Sequence, residues 1–406
     1  MTHLFLNGLA AKAGGGLTYL RNVVPHLARV SGVRTTVALS PPLLAEMGNL
    51  PNVSLLAAPT PANAARRFWM EQTLLPGMIR AAGADVLISC GNFALRRSPV
   101  PQILLAGNSL YTSSEFSRDL RARGAYGMLL DTRIKGFLAR KSIHWADCTV
   151  APSHAFAEQL RTWTGGKVIS IYHGFDPQIF FGSETQLPVE IQKKLDSGKD
   201  ALRLLFVSHY NYYRNFETLL RAIPLLSERM GPRKVKLFLT CRLRLQENPG
   251  SYRAEQASAL VEKLGISDQV VDLGSIPYHL LHHLYAACDI YVSPAYTETF
   301  AHPLVEAMAS GLPIVGSDLP VHREICGPTV LYFNAFSAAE LAERVFQIAT
   351  SDVLRAEMIE RGRTRSAEFS WARHVNELLE LAKTFTNGSG PDALSLLPKS
   401  GAAAAA

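Results

Sequence analysis

The chain has 406 residues, 48% of them hydrophobic and 18% charged, with 29 Gly and 23 Pro. That much apolar side chain excludes a disordered protein and is enough for two or three domains with cores of their own. Five scattered cysteines (Cys90, Cys148, Cys241, Cys288, Cys326) with no C-x-x-C pair argue against a disulfide framework or a structural zinc site and fit a reducing cytosol. The first residues lack a basic leader and Asn7 interrupts their apolar run, so no signal peptide is expected. No stretch approaches the ~20 apolar residues of a membrane span. The net charge of +7 is uneven: up to Phe175 there are 18 Lys and Arg against 8 Asp and Glu, and beyond it 23 against 26. A basic first half and a mildly acidic second half suggest two domains with different partners. With no zinc-finger spacing, no RNP-like aromatic motif and no long basic run, nucleic acid is not an expected partner. An anionic membrane surface or a phosphate-bearing acceptor fits the basic half better.

In chain order, short apolar runs alternate with helical patterns. The first-half strand candidates are HLFLNG, RTTVALS, VSLLAA, DVLISC, QILLAG, CTVAPS and VISIYHG, with helices expected over 17–31 and 117–145. Residues 176–200 are polar with weak periodicity and read as a linker. The alternation then restarts with RLLFVSH, ETLLRAIPLL, KVKLFLT, AEQASALVEKL, QVVDLG, HLLHHLYAA, IYVSP, PLVEAMAS, PIVGS and TVLYF. Strands alternating with helices predict parallel sheets covered on both faces. Two such runs predict an α/β fold of two doubly wound Rossmann-like domains facing each other across a cleft. The expected bounds are 1–175 for the first domain, 201–370 for the second, 371–386 for a closing helix and 387–406 for a disordered tail. Val375, Leu378, Leu379 and Leu381 share one face of the closing helix.

Ligands of parallel sheets bind beyond the carboxyl ends of the strands, which directs attention to YVSPAYTETFAHPLVEAMASGLPIVGSD. A strand ending near Pro294 leads to a loop with Glu298, then to a helix beginning at His302 or Pro303 that carries Glu306. Proline suits a first helical turn, where its missing N–H is not needed. Free backbone N–H groups from Phe300 to Val305, Pro303 excepted, would form an anion site at the positive helix end. Carboxylates that bind hydroxyls beside a helix end that binds phosphate are what a nucleotide sugar requires. The plainer alternative is that both acids are ordinary loop and helix-start residues.

Glu298, Phe300, Pro303, Glu306, Ala307, Gly311 and Pro313 resemble the E-x-F-x-x-P-x-x-E-A-x-x-x-G-x-P pattern of retaining, family 4-type glycosyltransferases of the GT-B fold (glycosyl transferases group 1). Four further blocks stand in the family's order with it: AGGGLTYLRNVVPHLA; VAPSHAFAEQL with IYHGFDPQIF; LLFVSHYNYYRNFETLLRAI; and FSWARHVNELLELA, the last matching a helix that in the family crosses back to the first domain. The resemblance implies that Glu298 contacts hydroxyls of the donor sugar, that Glu306 holds the ribose, and that the backbone through Thr299, Phe300, Ala301, His302, Leu304 and Val305 contacts sugar and diphosphate. It implies that Gly14, Gly15 and Gly16 let the backbone approach phosphate or acceptor closely. A flexible turn before a helix would use the same glycines.

Two positions depart from the pattern. Many members place an Arg and a Lys five residues apart against the diphosphate; here they are His209 and Arg214. Arg214 keeps the charge with a planar fork, and His209 serves either protonated or as a neutral donor. Many members also carry a His after the strand matching QILLAGN, where this chain has Gly107-Asn108-Ser109, so Asn108 is the candidate there, as a hydrogen-bonding group rather than a base. His279 and His283 lack a third metal ligand nearby. No Asp-x-Asp occurs, so no metal is expected and Arg214 with the helix end would neutralise the diphosphate. Basic residues set among Leu, Ile and Phe over 117–145 suit a membrane surface or a solvated helix face.

These features lead to an expected retaining, metal-independent hexosyltransferase without cofactor. Its partners would be a nucleotide-sugar donor and a saccharide or lipid-linked acceptor of cell-envelope polysaccharide synthesis. It would be cytoplasmic, with peripheral contact at the inner face of the plasma membrane. The alternatives are a GT-B nucleotide-sugar epimerase and a non-catalytic module that binds sugar nucleotides or glycans. A phosphorylase would need a lysine bearing pyridoxal phosphate, for which no motif is seen, and no G-x-G-x-x-G follows the first strand to support an NAD dehydrogenase.

Overall fold

Among the described residues, thirteen strands form on the thirteen runs expected. In the computed structural model, which describes residues 2–11, 15–59, 61, 63–243 and 252–387, the first seven are β1 (Thr2–Asn7), β2 (Val33–Leu39), β3 (Val53–Ala57), β4 (Val86–Cys90), β5 (Gln102–Leu105), β6 (Cys148–Ala151) and β7 (Val168–Ser170). The remaining six are β8 (Ala201–Phe206), β9 (Lys234–Leu239), β10 (Val270–Asp272), β11 (Ile290–Ser293), β12 (Ile314–Ser317) and β13 (Val330–Phe333). They make two wholly parallel sheets, ordered β3-β2-β1-β4-β5-β6-β7 and β10-β9-β8-β11-β12-β13. Leu4, Phe5, Leu6, Leu87, Ile88, Leu204, Leu205, Leu237 and Phe238 are fully buried, as strands covered by helices on both faces require. Each sheet is wound outward from its middle, with the direction reversing between β1 and β4 in one and between β8 and β11 in the other.

The chain divides into two units that do not follow sequence order: one holds 1–112, 130–174 and 370–406, the other 113–129 and 175–369. Two expectations change here. The helix expected over 117–145 is two helices, Ser114–Ala122 and Tyr126–Trp145, broken where Gly124 takes a φ of +66°. The first of them packs in the second unit, because its Phe116 meets Tyr213 edge-on and its Arg123 pairs with Glu217. The stretch expected as a linker, 176–200, carries the short helices Pro177–Phe181 and Val189–Asp196. Phe180 of that stretch is fully buried among Phe175, Tyr278 and Tyr285, so it is part of the second unit's fold.

The last described helix, Trp371–Thr386, lies in the first unit, where His374 bridges Tyr19 Oη (2.9 Å) and the Tyr172 carbonyl (2.8 Å). Val375, Leu378, Leu379 and Leu381, expected on one face, join the core under β1 and β4. Of the tail expected to be disordered, the part beyond Asn387 lies outside the described residues, as does Gly14.

Candidate active site

The two loops that leave the middle of the second sheet each end on a charged side chain. After β8 the chain enters one 3₁₀ turn, Tyr212–Arg214; after β11 it reaches Glu298. In a sheet of this winding, the ligand crevice opens where the strand order reverses, here between β8 and β11. The fold thereby joins two residues 84 apart: Arg214 Nη1 donates to Glu298 Oε2, with the two side chains only 21% and 12% exposed. The other carboxylate oxygen accepts the Thr299 N–H at 3.0 Å. Burial by itself would push the Glu298 carboxyl up, but the Arg214 guanidinium, the Thr299 N–H and nearby His322 outweigh it and hold the group below its usual range.

Three histidines stand in the field of this pair. Burial drives His302 down to about 4 against the pull of Glu298, with Arg214 adding to the descent. Burial and then Arg214 lower His209 as well. Of its two anticipated modes, the neutral hydrogen-bonding one therefore applies at neutral pH. His322, which the sequence reading missed, follows β12 on the helix Pro320–Cys326 and is fully buried. Its Nδ1 lies 2.8 Å from the Ser317 carbonyl, to which a neutral ring donates. The buried His322 Nε2 and Arg214 Nε have no hydrogen-bond partner among the described residues, which leaves hydrogen-bonding capacity beside Glu298 for a ligand to use.

Glu306 is buried, with the Tyr285 hydroxyl 2.9 Å from its Oε2 and 3.3 Å from the Pro303 carbonyl. Burial raises its carboxyl to about 7, and the Tyr285 hydroxyl pulls the other way. Between the ordinary carboxyl range and about pH 7 the folded protein holds a proton here that the unfolded chain has lost, so this group's contribution to stability falls as pH rises through that window.

The recurring pattern around Glu298 divides by physical role. Phe300 and Ala307 are core, with Phe300 edge-on to Phe369. Pro303 is the second residue of the helix His302–Ala309. Gly311, at φ +70°, donates to Met308 O while Leu312 donates to Ala307 O, a Schellman stop that glycine at this position permits. Pro313 then leads into β12. Only Glu298 and Glu306 are left for chemistry, and Leu304 and Val305 are buried.

The expected row of free N–H groups from Phe300 to Val305 is corrected at Leu304, which donates to Ala301 O at 3.0 Å; just before the row, the Thr299 N–H donates to the Glu298 side chain. Ala301 caps the helix with a left-handed backbone, φ +69°, a conformation that costs an L-residue about 1 kcal/mol or more and concentrates at functional sites. Asn215, also left-handed at φ +55°, fastens the loops: its Nδ2 donates to the Pro294 carbonyl at 3.1 Å, and its Oδ1 accepts from Thr218 Oγ1.

Asn108, Gly15 and Gly16 belong to the first unit. Asn108 caps the 3₁₀ turn Ser109–Tyr111, its Oδ1 accepting the Leu110 N–H at 3.0 Å. Gly15 opens the helix Gly15–Ala28, and a Cβ there would meet no atom within 4 Å; at Gly16 it would make only ordinary contact with Ala11. Nothing among the described residues thus requires glycine at either position. His283 contacts the Thr185 carbonyl at 2.9 Å, and no cluster of three metal-ligating side chains occurs among the described residues.

Solved structures share this architecture along nearly the whole chain. Sucrose-phosphate synthase from Thermosynechococcus elongatus matches 96% of this chain and all of that one, with a TM-score of 0.76 at 18% identity. Anabaena Alr3699/HepE, solved in complex with UDP-glucose, matches 95% of this chain and all of that one, with a TM-score of 0.67 at 17% identity. The fold is GT-B, two parallel-sheet Rossmann-like domains. Residues 189–365 match the family model of glycosyl transferases group 1. Among curated proteins, the D-inositol 3-phosphate glycosyltransferase of Corynebacterium aurimucosum is 25% identical over 215 residues, 52% of this chain and 50% of that protein. The chain spans about half the length of the first curated relatives it matches.

Proposed function

We propose that this chain is a retaining, metal-independent glycosyltransferase that moves a hexose from a nucleotide-diphosphate sugar to a saccharide or lipid-linked acceptor in cell-envelope polysaccharide assembly. The observation that carries this reading is the buried Arg214–Glu298 pair at the winding reversal of a group 1 domain. Breaking the bond between an anomeric carbon and a diphosphate builds positive charge on the sugar and negative charge on the leaving oxygens, and a site with fixed charges and little water stabilises both. In this reading Arg214 receives the diphosphate, the first turn from Ala301 to Val305 lies against it, and Glu298 accepts hydrogen bonds from sugar hydroxyls. Glu306 takes the ribose.

Both carboxyls are held by protein groups, Glu298 by Arg214 and Glu306 by Tyr285, which favours a route without a carboxylate nucleophile. The acceptor oxygen attacks the anomeric carbon on the face the diphosphate leaves. The carbon–oxygen bond to phosphate breaks with its electron pair on the phosphate oxygen, and the acceptor's proton passes to that oxygen. Asn108 and the Gly15–Gly16 backbone are assigned to the acceptor side. The absence of Asp-x-Asp and the presence of Arg214 support neutralisation without a metal. The UDP-glucose complex of the Anabaena protein supports the donor class.

The test is a thermal-shift screen of UDP- and GDP-sugars followed by a transfer assay. A ligand at a hundred times its Kd adds about 2.7 kcal/mol to the folded state, so one nucleotide sugar should raise Tm by several degrees, and its sugar should appear on an acceptor with the anomeric configuration kept. A flat screen or an inverted product rejects the reading; conversion of the donor without acceptor would favour an epimerase, and binding without turnover a non-catalytic module.

Peripheral membrane contact belongs to the same proposal. On the helix Tyr126–Trp145, Leu130, Ile134 and Phe137 share one face and are 61%, 54% and 60% exposed, unusual for large apolar side chains standing together. Exposed Arg133, Arg140 and Lys141 flank them, the Lys141 Nζ lying 5.7 Å from the Phe137 ring centroid. Apolar side chains between cations fit an anionic lipid surface. Among the described residues no helix is long and apolar enough to cross a membrane. Co-sedimentation with phosphatidylglycerol vesicles should fall at least tenfold in Ile134→Glu/Phe137→Glu, and unchanged binding, or loss of self-association instead, would overturn this contact.

A further inference from the structure

The second unit contains one stretch from the first half of the chain, 113–129, and its contacts converge on the two loops that present Arg214 and Glu298. Arg123 is the hub. Its guanidinium lies 4.2 Å over the Tyr212 ring, its Nε donates to Asp119 Oδ1 at 2.8 Å, and its Nη1 stands 3.0 Å from Glu217 Oε1 and 2.8 Å from Gln256 Oε1. The other Asp119 oxygen accepts the Tyr296 hydroxyl at 2.9 Å, and Glu217 Oε1 also accepts the Tyr210 hydroxyl at 3.0 Å. Phe116 meets Tyr213 edge-on, and the Tyr296 N–H donates to the Tyr213 carbonyl at 3.1 Å. Arg123, Asp119 and Glu217 keep only 13%, 20% and 12% of their side-chain exposure.

Tyr212 stands two residues before Arg214, and Tyr296 two residues before Glu298. One Arg–Asp pair therefore grips both loops immediately upstream of the charged pair, from an element that is neither loop's neighbour in sequence. We propose that Arg123 and Asp119 are positioning residues for the donor site: they fix the spacing of the two loops, and through it the geometry in which Arg214 and Glu298 meet the donor. A site of opposed charges has to be held to within about half an ångström to work. The Tyr212–Arg214 turn, a single 3₁₀ turn closed by the left-handed Asn215, has little rigidity of its own. Stacking on Tyr212 with three hydrogen-bonded acceptors around one guanidinium supplies it, a geometry that lysine cannot copy.

The inference rests on the reading of Arg214 as the diphosphate contact, and the experiment separates the two. UDP and GDP are titrated calorimetrically into the full chain, its Arg123→Ala and Arg214→Ala variants, the double variant and Tyr296→Phe, with Tm recorded for each. The wild type should bind one of the nucleotides; binding of neither would reject the donor-site reading itself. Given binding, Arg123→Ala should weaken it at least tenfold, and Tyr296→Phe, which removes only the hydroxyl on Asp119, about threefold with Tm held within a few degrees. If Arg123 acts through Arg214, adding Arg123→Ala to Arg214→Ala should cost less than twofold more. Multiplying effects, or wild-type binding by Arg123→Ala, would overturn the proposal. If Arg123→Ala fails to fold, Tyr296→Phe decides: undiminished binding there rejects it.

Discussion

Replacing Glu298 by Gln should lower transfer at least a hundredfold while the protein stays folded, as judged by turnover under donor saturation and by Tm. The amide keeps the shape of the carboxylate and can still accept the Thr299 N–H, but it carries no charge for Arg214 or for the sugar. Losing one preorganised electrostatic partner in a water-poor site is worth about 10²–10³ in rate. Glu298→Ala is the less informative change. Gln removes the counter-charge but keeps an amide oxygen that can accept from Arg214, whereas Ala removes the charge and the acceptor together and empties the volume, nearer the full loss of about 3–5 kcal/mol when one member of a buried pair is removed, so inactivity and instability would be confounded. The Gln variant also has a pH signature. Because the Glu298 carboxyl is held below its usual range, its contribution to stability is present above that range and is lost as pH falls through the lowered value. Glu298→Gln should therefore flatten the acid side of a plot of Tm against pH. Turnover within twofold of wild type would remove Glu298 from the mechanism.

The second large effect is on stability. Gly174→Ala should cost on the order of 4 kcal/mol or prevent folding, because the new Cβ would sit 2.0 Å from the Trp371 nitrogen and 2.4 Å from the Ser370 carbonyl carbon. These are backbone atoms at the start of the helix Trp371–Thr386 and cannot swing aside as a side-chain end can, which puts the substitution among the severe overpacking cases. Displacing that helix pulls Trp371, Val375, Leu378 and Leu381 out of the first unit's core. Urea denaturation of Gly174→Ala beside Gly15→Ala measures the difference. The second substitution meets no atom within 4 Å and falls in a helix, so its stability should change by less than about 1 kcal/mol. A Gly174→Ala protein as stable as wild type would mean that this close approach does not exist in solution.

Much of this molecule was legible before any coordinates. The thirteen apolar runs became thirteen strands because fully buried parallel strands carry continuous apolar side chains, and a period-independent run of that length is hard to disguise. Pro303 marked a helix start from its position, since its missing N–H is not needed in a first turn, and the helix His302–Ala309 begins there. The limits of legibility have physical causes too. The split at Gly124 was hidden because glycine inside a helical pattern costs only about 1 kcal/mol and is often tolerated. Burial of Phe180 was hidden because a five-residue helix has too few positions to show a period.

Composition, apolar periodicity and the spacing of Glu298, Pro303 and Glu306 thus determined the fold class, the strand count and the helix that opens the candidate site, because these depend on neighbours within a few residues of one another. The tertiary structure decided which charges meet. Arg214 pairs with Glu298, Tyr285 with Glu306, and Arg123 with Asp119 and Glu217, and His322 is buried beside them with one nitrogen unused. The long-range pairs depend on winding order and burial, which bring Arg214 to Glu298 across 84 positions and Arg123 to Glu217 from the other half of the chain, and no local pattern in the chain encodes those meetings.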